Sequence, residues 1–220
     1  MPAQAPRPIS PGARHCCRPD PGRENRLAET RIEDARAMAS ALADAWSGLA
    51  AGTPSVALFG HSMGALLVYE LAAELVRREV RPLPQRLFVS GHNAPHLPSH
   101  RPHLHTLPER DFLPAVARHY GNIPAELMND PEIAALISPV LRADFTLVEN
   151  YRWRETPPLP MPLSVFGGLE DPWTSRAGLA QWSQHTSGGC PLRMLPGDHF
   201  FPQKARVDLH AAIVADLIAP

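Results

Sequence analysis

The sequence predicts an α/β domain built on a mainly parallel sheet. Four short apolar runs of strand composition alternate with stretches of helical periodicity. One of those runs passes into the next helix through a glycine-framed turn, "FGHSMGAL", residues 59 to 66. The scale agrees, because 220 residues that are 44% hydrophobic with formal net charge −1 suffice for one domain with a sizeable core.

The first 22 residues carry six prolines and almost no large apolar side chain, so they are expected to be disordered, with the folded domain spanning 23–220. Thr30 and Glu33 have the spacing of a capping box ahead of Ile32, Ala35, Ala39, Leu42, Trp46 and Leu49, one face of an amphipathic helix. Val56 to Phe59 reads as a buried strand and Gly64 to Arg78 as the helix that follows it, the βα unit of a parallel sheet. Further strands are expected at Arg86 to Ser90, Leu163 to Phe166 and Leu192 to Leu195, with a last helix over Val207 to Ile218. About seventy residues separate the second strand from the third, far beyond an ordinary connection. This insert has helices of its own, one of which is expected to start with Ser138 as N-cap and Pro139 as first residue. An insert above the strand ends of such a sheet is where a lid sits.

Composition excludes several classes of function. Basic residues are spread among 22 acids rather than gathered in a patch, which argues against nucleic acid. The longest apolar runs are only a few residues, and neither a membrane span nor a signal peptide is visible, so a cytoplasmic protein is expected. Cys16, Cys17 and Cys190 have neither metal-ligand nor disulfide spacing and are read as free thiols. His92, His96, His100, His103 and His105 form a histidine-rich run, but prolines interrupt it and no acid or cysteine cluster completes a ligand set, so no metal is expected.

Gly60-His61-Ser62-Met63-Gly64 has the G-x-S-x-G form of a nucleophile elbow, with glycines relieving a tight turn so that the serine projects above the sheet. A serine hydroxyl needs a base, and the base needs an orienting acid. With this motif the partners follow in the order acid, then histidine, on loops after later strands. Asp171 follows the third strand in "FGGLEDPW" and His199 follows the fourth in "LPGDHFF". Glu170 and Asp198 are rivals read as solvated loop acids, His185 and His210 as packing or surface residues within helices, and His61 as lining the elbow.

The blocks "PGRENR", "ALFGHSMGAL", "LFVSGHNAPH", "LHTLPERDFL", "LRADFTLVENYRW", "GGLEDP" and "LPGDHFF", in that order, resemble the type II (editing) thioesterases of non-ribosomal peptide and polyketide synthesis. The likeness runs from about Pro21 to near the end. It implies an α/β-hydrolase fold and hydrolysis of stalled or wrong acyl and aminoacyl thioesters on the phosphopantetheine arm of carrier proteins, by a monomer without cofactor. Carried onto this sequence, Ser62 is the nucleophile, Asp171 the acid and His199 the base, with the backbone N–H of Met63 as one oxyanion donor. The stretch from about 105 to 154 becomes the helical lid.

Members of that family open with a strand and an "FPYAGG"-like loop, then a helix and a strand, before the "PGRE" segment. Here "MPAQAPRPISPGARHCC" stands in their place. The resemblance therefore implies that early strands and the second oxyanion donor are missing, leaving the strand near Val56 without a neighbour on one side. Two other classes of reading remain open from residues alone: a general esterase or acyltransferase with the same triad, and an inactive remnant that binds carrier protein.

Overall fold

The computed structural model describes Gly22, Arg23, Arg26 and residues 29–99, 101–121 and 130–218. The proline-rich segment expected to be disordered lies, but for Gly22, outside the described residues, as do Cys16, Cys17 and His100.

Four parallel strands form one sheet in the order β1-β2-β3-β4: β1 Ala57–His61, β2 Arg86–Ser90, β3 Leu163–Gly168 and β4 Leu192–Leu195. All four coincide with the sequence expectation to within two residues at either end. Side chains alternate across the pleat, so each face of the sheet has its own core. Leu87, Val89, Leu163 and Val165 pack with Ala65, Tyr69 and Ala72 of α2 (Met63–Arg77), and with Leu179 of α5 (Arg176–Ala180) and Trp182 of the 3-10 turn after it. On the other face Phe88 and Phe166 meet Phe201 of α6 (Phe201–Lys204) and Leu209 and Ile213 of α7 (Arg206–Ile218). Each large side chain so buried contributes about 1.5–3 kcal/mol. One polar group joins this second face: Ser164 donates to Asp216 of α7 at 2.6 Å, and Arg193 forks onto the same carboxylate at 2.6 Å.

Two helix starts differ from expectation. The first helix, α1 (Ala35–Leu49), is capped by Asp34, whose Oδ1 accepts from Arg36 N and Ala37 N, not by the Thr30–Glu33 box. An aspartate caps at least as well as a threonine, and Asp34 adjoins the first turn. Ile32, left outside the helix, still packs on the Met38 and Leu66 cluster. In the insert, α4 runs from Pro131 to Glu149 with Asp130 as N-cap, so Ser138 and Pro139 lie inside it. Asp130-Pro131 satisfies the same start rules eight residues earlier, and Ser138 is instead buried, bonded to Glu109.

The insert is α4 together with α3 (Glu109–Tyr120), and it has a core of its own: Leu104, Phe112, Leu113, Ala115 and Val116, covered by Ile137, Leu141 and Phe145. The carboxyl end of α4 ties this unit down through Leu147, which packs on Ala35, Met38, Leu66 and Leu67. At the opposite margin, β1 pairs only with β2 among the described residues, and Phe59 is 43% exposed.

Candidate active site

Ser62 sits at the β1–α2 junction with φ 54° and ψ −116°, a conformation an L residue holds only under strain. Its N–H donates to Ser90 O at 2.8 Å, which pins the turn to the tip of β2. A Cβ at Gly60 would stand 2.0 Å from Gly64 O, so a side chain there is impossible. A Cβ at Gly64 would meet nothing within 4 Å, so the turn requires glycine at the first of the two positions and not at the second.

The tips of β3 and β4 bring the partners. His199 Nε2 lies 3.0 Å from Ser62 Oγ, and His199 Nδ1 lies 2.9 Å from Asp171 Oδ2. The Asp171 side chain is fully covered and that of His199 is 6% exposed. Burial pushes the Asp171 carboxyl up, but hydrogen bonds from His199, Trp173 N and the Thr174 hydroxyl outweigh it and hold the group below the usual carboxylate range. Asp171 is therefore an anion, oriented by an Asx-type turn at "DPWT", and it directs the Nδ1 proton of His199 so that Nε2 faces the serine as an acceptor. Met63 opens α2, so its N–H belongs to the first helical turn, where no intrahelical acceptor exists. Among the described residues no strand precedes β1 to carry a second donor.

The rivals are placed elsewhere. Glu170 is exposed, and Asp198 takes Phe200 N and Lys204 Nζ. His210 lies on α7, and His185 is buried against Tyr69 and Trp182. His61 backs the triad, its ring 5.0 Å from that of His199 and its Nδ1 2.9 Å from Ser90 Oγ. Gly91, at φ +63°, makes room for it, since a Cβ there would meet the His61 ring at 2.5 Å. Burial, with the nearby His199, pushes the His61 pKa down to about 4, so this second imidazole stays neutral.

The histidine run is divided. His92 Nδ1 donates to Asn93 O, and His96 meets His185 at 2.7 Å. His103 and His105 stand with Glu149, their ligand atoms within 4.8 Å of one another, an acid that sequence spacing could not reveal. The Glu149 oxygens already accept from Leu104 N, His105 N and the His105 ring, a strap joining the loop to α4 rather than a set of free ligands.

Three further residues at the site escaped the sequence reading. Trp173 stacks on Tyr120 at 5.4 Å, the Tyr120 ring lies 5.9 Å from that of His199, and the Arg101 guanidinium stands 5.9 Å over Trp173. Trp173 was signalled by its place two residues after Asp171; Tyr120 and Arg101 come from the insert and its approach and carry no local signal. Beside them is a cavity of about 690 Å³ lined by His92, His96, Arg101, Glu149, Trp153 and Trp173 among others, a size that suits a small ligand.

A family model described as "Thioesterase domain" matches residues 7–217. The linear gramicidin dehydrogenase LgrE of Brevibacillus parabrevis is 40% identical over 200 residues, covering 90% of this chain and 74% of that protein. Its name speaks of a dehydrogenase, whereas the geometry here is that of a serine hydrolase. RedJ, a thioesterase from the prodiginine pathway of Streptomyces coelicolor, superposes with TM-score 0.79 at 38% identity, covering 89% of this chain and 76% of its own. YbtT, a type II thioesterase from the yersiniabactin NRPS/PKS pathway, gives TM-score 0.80 at 30% identity, covering 89% and 78%.

Proposed function

Since this chain belongs to the thioesterase family, we propose that it hydrolyses acyl thioesters through Ser62, His199 and Asp171, acting on acyl groups carried by the phosphopantetheine arm of peptide or polyketide carrier proteins. The observation that carries the reading is the continuous hydrogen-bonded series Ser62–His199–Asp171 at the strand tips, on an elbow whose backbone is strained to present the serine.

His199 Nε2 takes the Ser62 proton as Oγ attacks the thioester carbonyl, and the carbonyl π electrons move onto oxygen. The Met63 N–H, at the positive end of α2, donates to that oxyanion. Collapse breaks the carbon–sulfur bond, and His199 passes its proton to the departing thiolate. Water then enters, gives a proton to His199 and attacks the acyl-serine carbonyl, releasing a carboxylic acid and restoring Ser62. Asp171 stays ionised throughout and stabilises the imidazolium. The insert, through Tyr120, covers His199 and acts as the lid of the acyl cavity. The relatives from peptide and polyketide pathways support a carrier-protein partner. Among the described residues no helix is long and apolar enough to cross a membrane.

The test compares kcat/KM for acetyl and propionyl N-acetylcysteamine thioesters with that for oxygen esters of the same acids. The thioesters are expected to be hydrolysed at least tenfold faster. Equal or better rates on oxygen esters would assign the chain to the general esterases.

A further inference from the structure

We infer that His61 is a positioning residue for the catalytic base: anchored on Ser90, its ring holds His199 at reacting distance from Ser62. The inference rests on the thioesterase reading, and the test below separates the two.

The anchor comes from the sheet. His61 ends β1 directly opposite Ser90 in the parallel register, so the two side chains stand on the same face. His61 Nδ1 lies 2.9 Å from Ser90 Oγ, and the Ser90 carbonyl accepts the Ser62 N–H at 2.8 Å. One fully buried serine at the tip of β2 therefore holds both the main chain of the nucleophile and the imidazole next to it.

What the ring does follows from what it touches. It packs on the His199 ring with centroids 5.0 Å apart and planes at 44°, and it meets the Phe201 ring edge-on at 5.6 Å. Asp171 holds His199 at Nδ1, and a single hydrogen bond leaves a ring free to swing about that contact. Such a swing would carry Nε2 away from Ser62 Oγ, 3.0 Å off, and a misplacement of about 1 Å can cost ~10²-fold in rate. The His61 ring opposes it. Because His61 and Ser62 are consecutive and share Ser90 as anchor, the surface on which His199 rests moves with the nucleophile. An imidazole suits the position better than a phenyl ring for two reasons. Its Nδ1 gives the buried Ser90 hydroxyl a partner, which spares the cost of desolvating that group alone. With a pKa pushed down to about 4 by burial, it also stays uncharged and does not oppose the imidazolium that forms on His199 during turnover.

The test measures kcat and KM for acetyl N-acetylcysteamine thioester in the wild type, His61→Phe, Ser90→Ala and the double variant. The rate at which phenylmethylsulfonyl fluoride sulfonylates Ser62 and the unfolding temperature are read alongside. His61→Phe keeps a ring but cannot bond Ser90 Oγ, whereas Ser90→Ala keeps the imidazole and removes its anchor. Each is expected to lower kcat and kcat/KM equally, by at least fivefold, with KM little changed, the pattern of an alignment lost only in the transition state. A smaller fall in kcat, or a raised KM with kcat unchanged, overturns the inference. The double variant is expected to be no more than twofold slower than the slower single one, because the two residues act as one unit. Losses that multiply would make their roles independent and overturn it as well. If His61→Phe does not fold, Ser90→Ala decides by the same thresholds. Should the wild type leave the thioester intact, the thioesterase reading fails, and the sulfonylation rate carries the test, since it needs Ser62 and His199 but no thioester. Sulfonylation at least fivefold slower in Ser90→Ala than in the wild type supports the positioning role; equal rates, or none with the wild type, sink it.

Discussion

At the strand tips almost every polar group around the triad has one partner at one distance, while in the helical insert and its approach the polar groups line open space. Ser62, His199 and Asp171 are held by a strained elbow, two hydrogen bonds of about 3 Å and an Asx turn. The insert has a separate small core, and its side of the cavity shows arginines that meet carbonyls and rings rather than carboxylates, with histidines in several environments. The difference teaches a division of labour. Chemistry is fixed by the sheet, which cannot shift without breaking its own ladder, whereas selectivity belongs to a unit that can move or be rebuilt without touching that ladder.

The sharpest way to test the sheet side is to delete the nucleophile. Ser62→Ala keeps the backbone strain and removes only Oγ, so thioester turnover is expected to fall by ~10³–10⁴ or more with the unfolding temperature unchanged. Asp171→Asn is expected to lose about as much, because an amide cannot hold His199 in the tautomer that faces Ser62. Retention of most of the activity by Ser62→Ala would end the serine mechanism.

The insert side is tested through Phe112, which is fully buried, edge-on to Phe145 and covered by the Arg142 guanidinium at 4.2 Å. Phe112→Ala is expected to cost about 3–5 kcal/mol, taken from the insert alone. Hydrogen exchange should quicken over 104–120 while β2 and β3 stay protected. Equal loss of protection in those strands would mean that insert and sheet are one cooperative unit, and the contrast drawn above would be wrong.

The same contrast explains what was legible in the sequence. All four strands and the Ser62–His199–Asp171 arrangement could be read, because short apolar runs of strand composition, the Gly60–Ser62 turn and the order acid-then-histidine are rules that the sheet enforces. Helix starts in and before the insert were misplaced, since Thr30 and Ser138 satisfy the same capping rules as Asp34 and Asp130 and only packing chooses among them. Arg101, Tyr120 and Glu149 were invisible for a different reason: each acts across a gap of tens of residues set by how the insert folds back, and no spacing rule reports that.

A smaller effect is expected from pH. His61, at the strand tips, and His92 and His185, towards the cavity side, are all pushed down to about 4, burial being the first cause in each. An unfolded histidine titrates near 6.5. Between those values the unfolded chain binds more protons, so stability rises with pH. It is complete above about 6.5 and is lost as pH falls towards 4. Asp171 adds a second, more acidic phase, because its lowered carboxyl stabilises the fold above the unfolded value and ceases to as pH falls through the folded one. The unfolding temperature is expected to decline through the first window and then more steeply. A flat profile from pH 6.5 to 4 would contradict the neutral histidines.

The smallest expected effect lies at the edge of the sheet. β1 pairs on one side only among the described residues, and Phe59, opposite Phe88 in the register, is 43% exposed. An open strand edge with an apolar residue on it is a template for association, and natural edges blunt it with charge or polarity. Phe59→Thr puts a β-branched residue, which suits a strand, in place of an aromatic one and removes half-buried apolar surface, so its cost should be about 1 kcal/mol. What should change is association. Light scattering at rising concentration is expected to show less aggregation for Phe59→Thr than for the wild type, with thioester turnover per folded molecule unchanged. If the two aggregate alike, the edge is not the sticky surface, and exposed apolar residues elsewhere, such as Leu136 on the insert at 57%, take its place in the comparison.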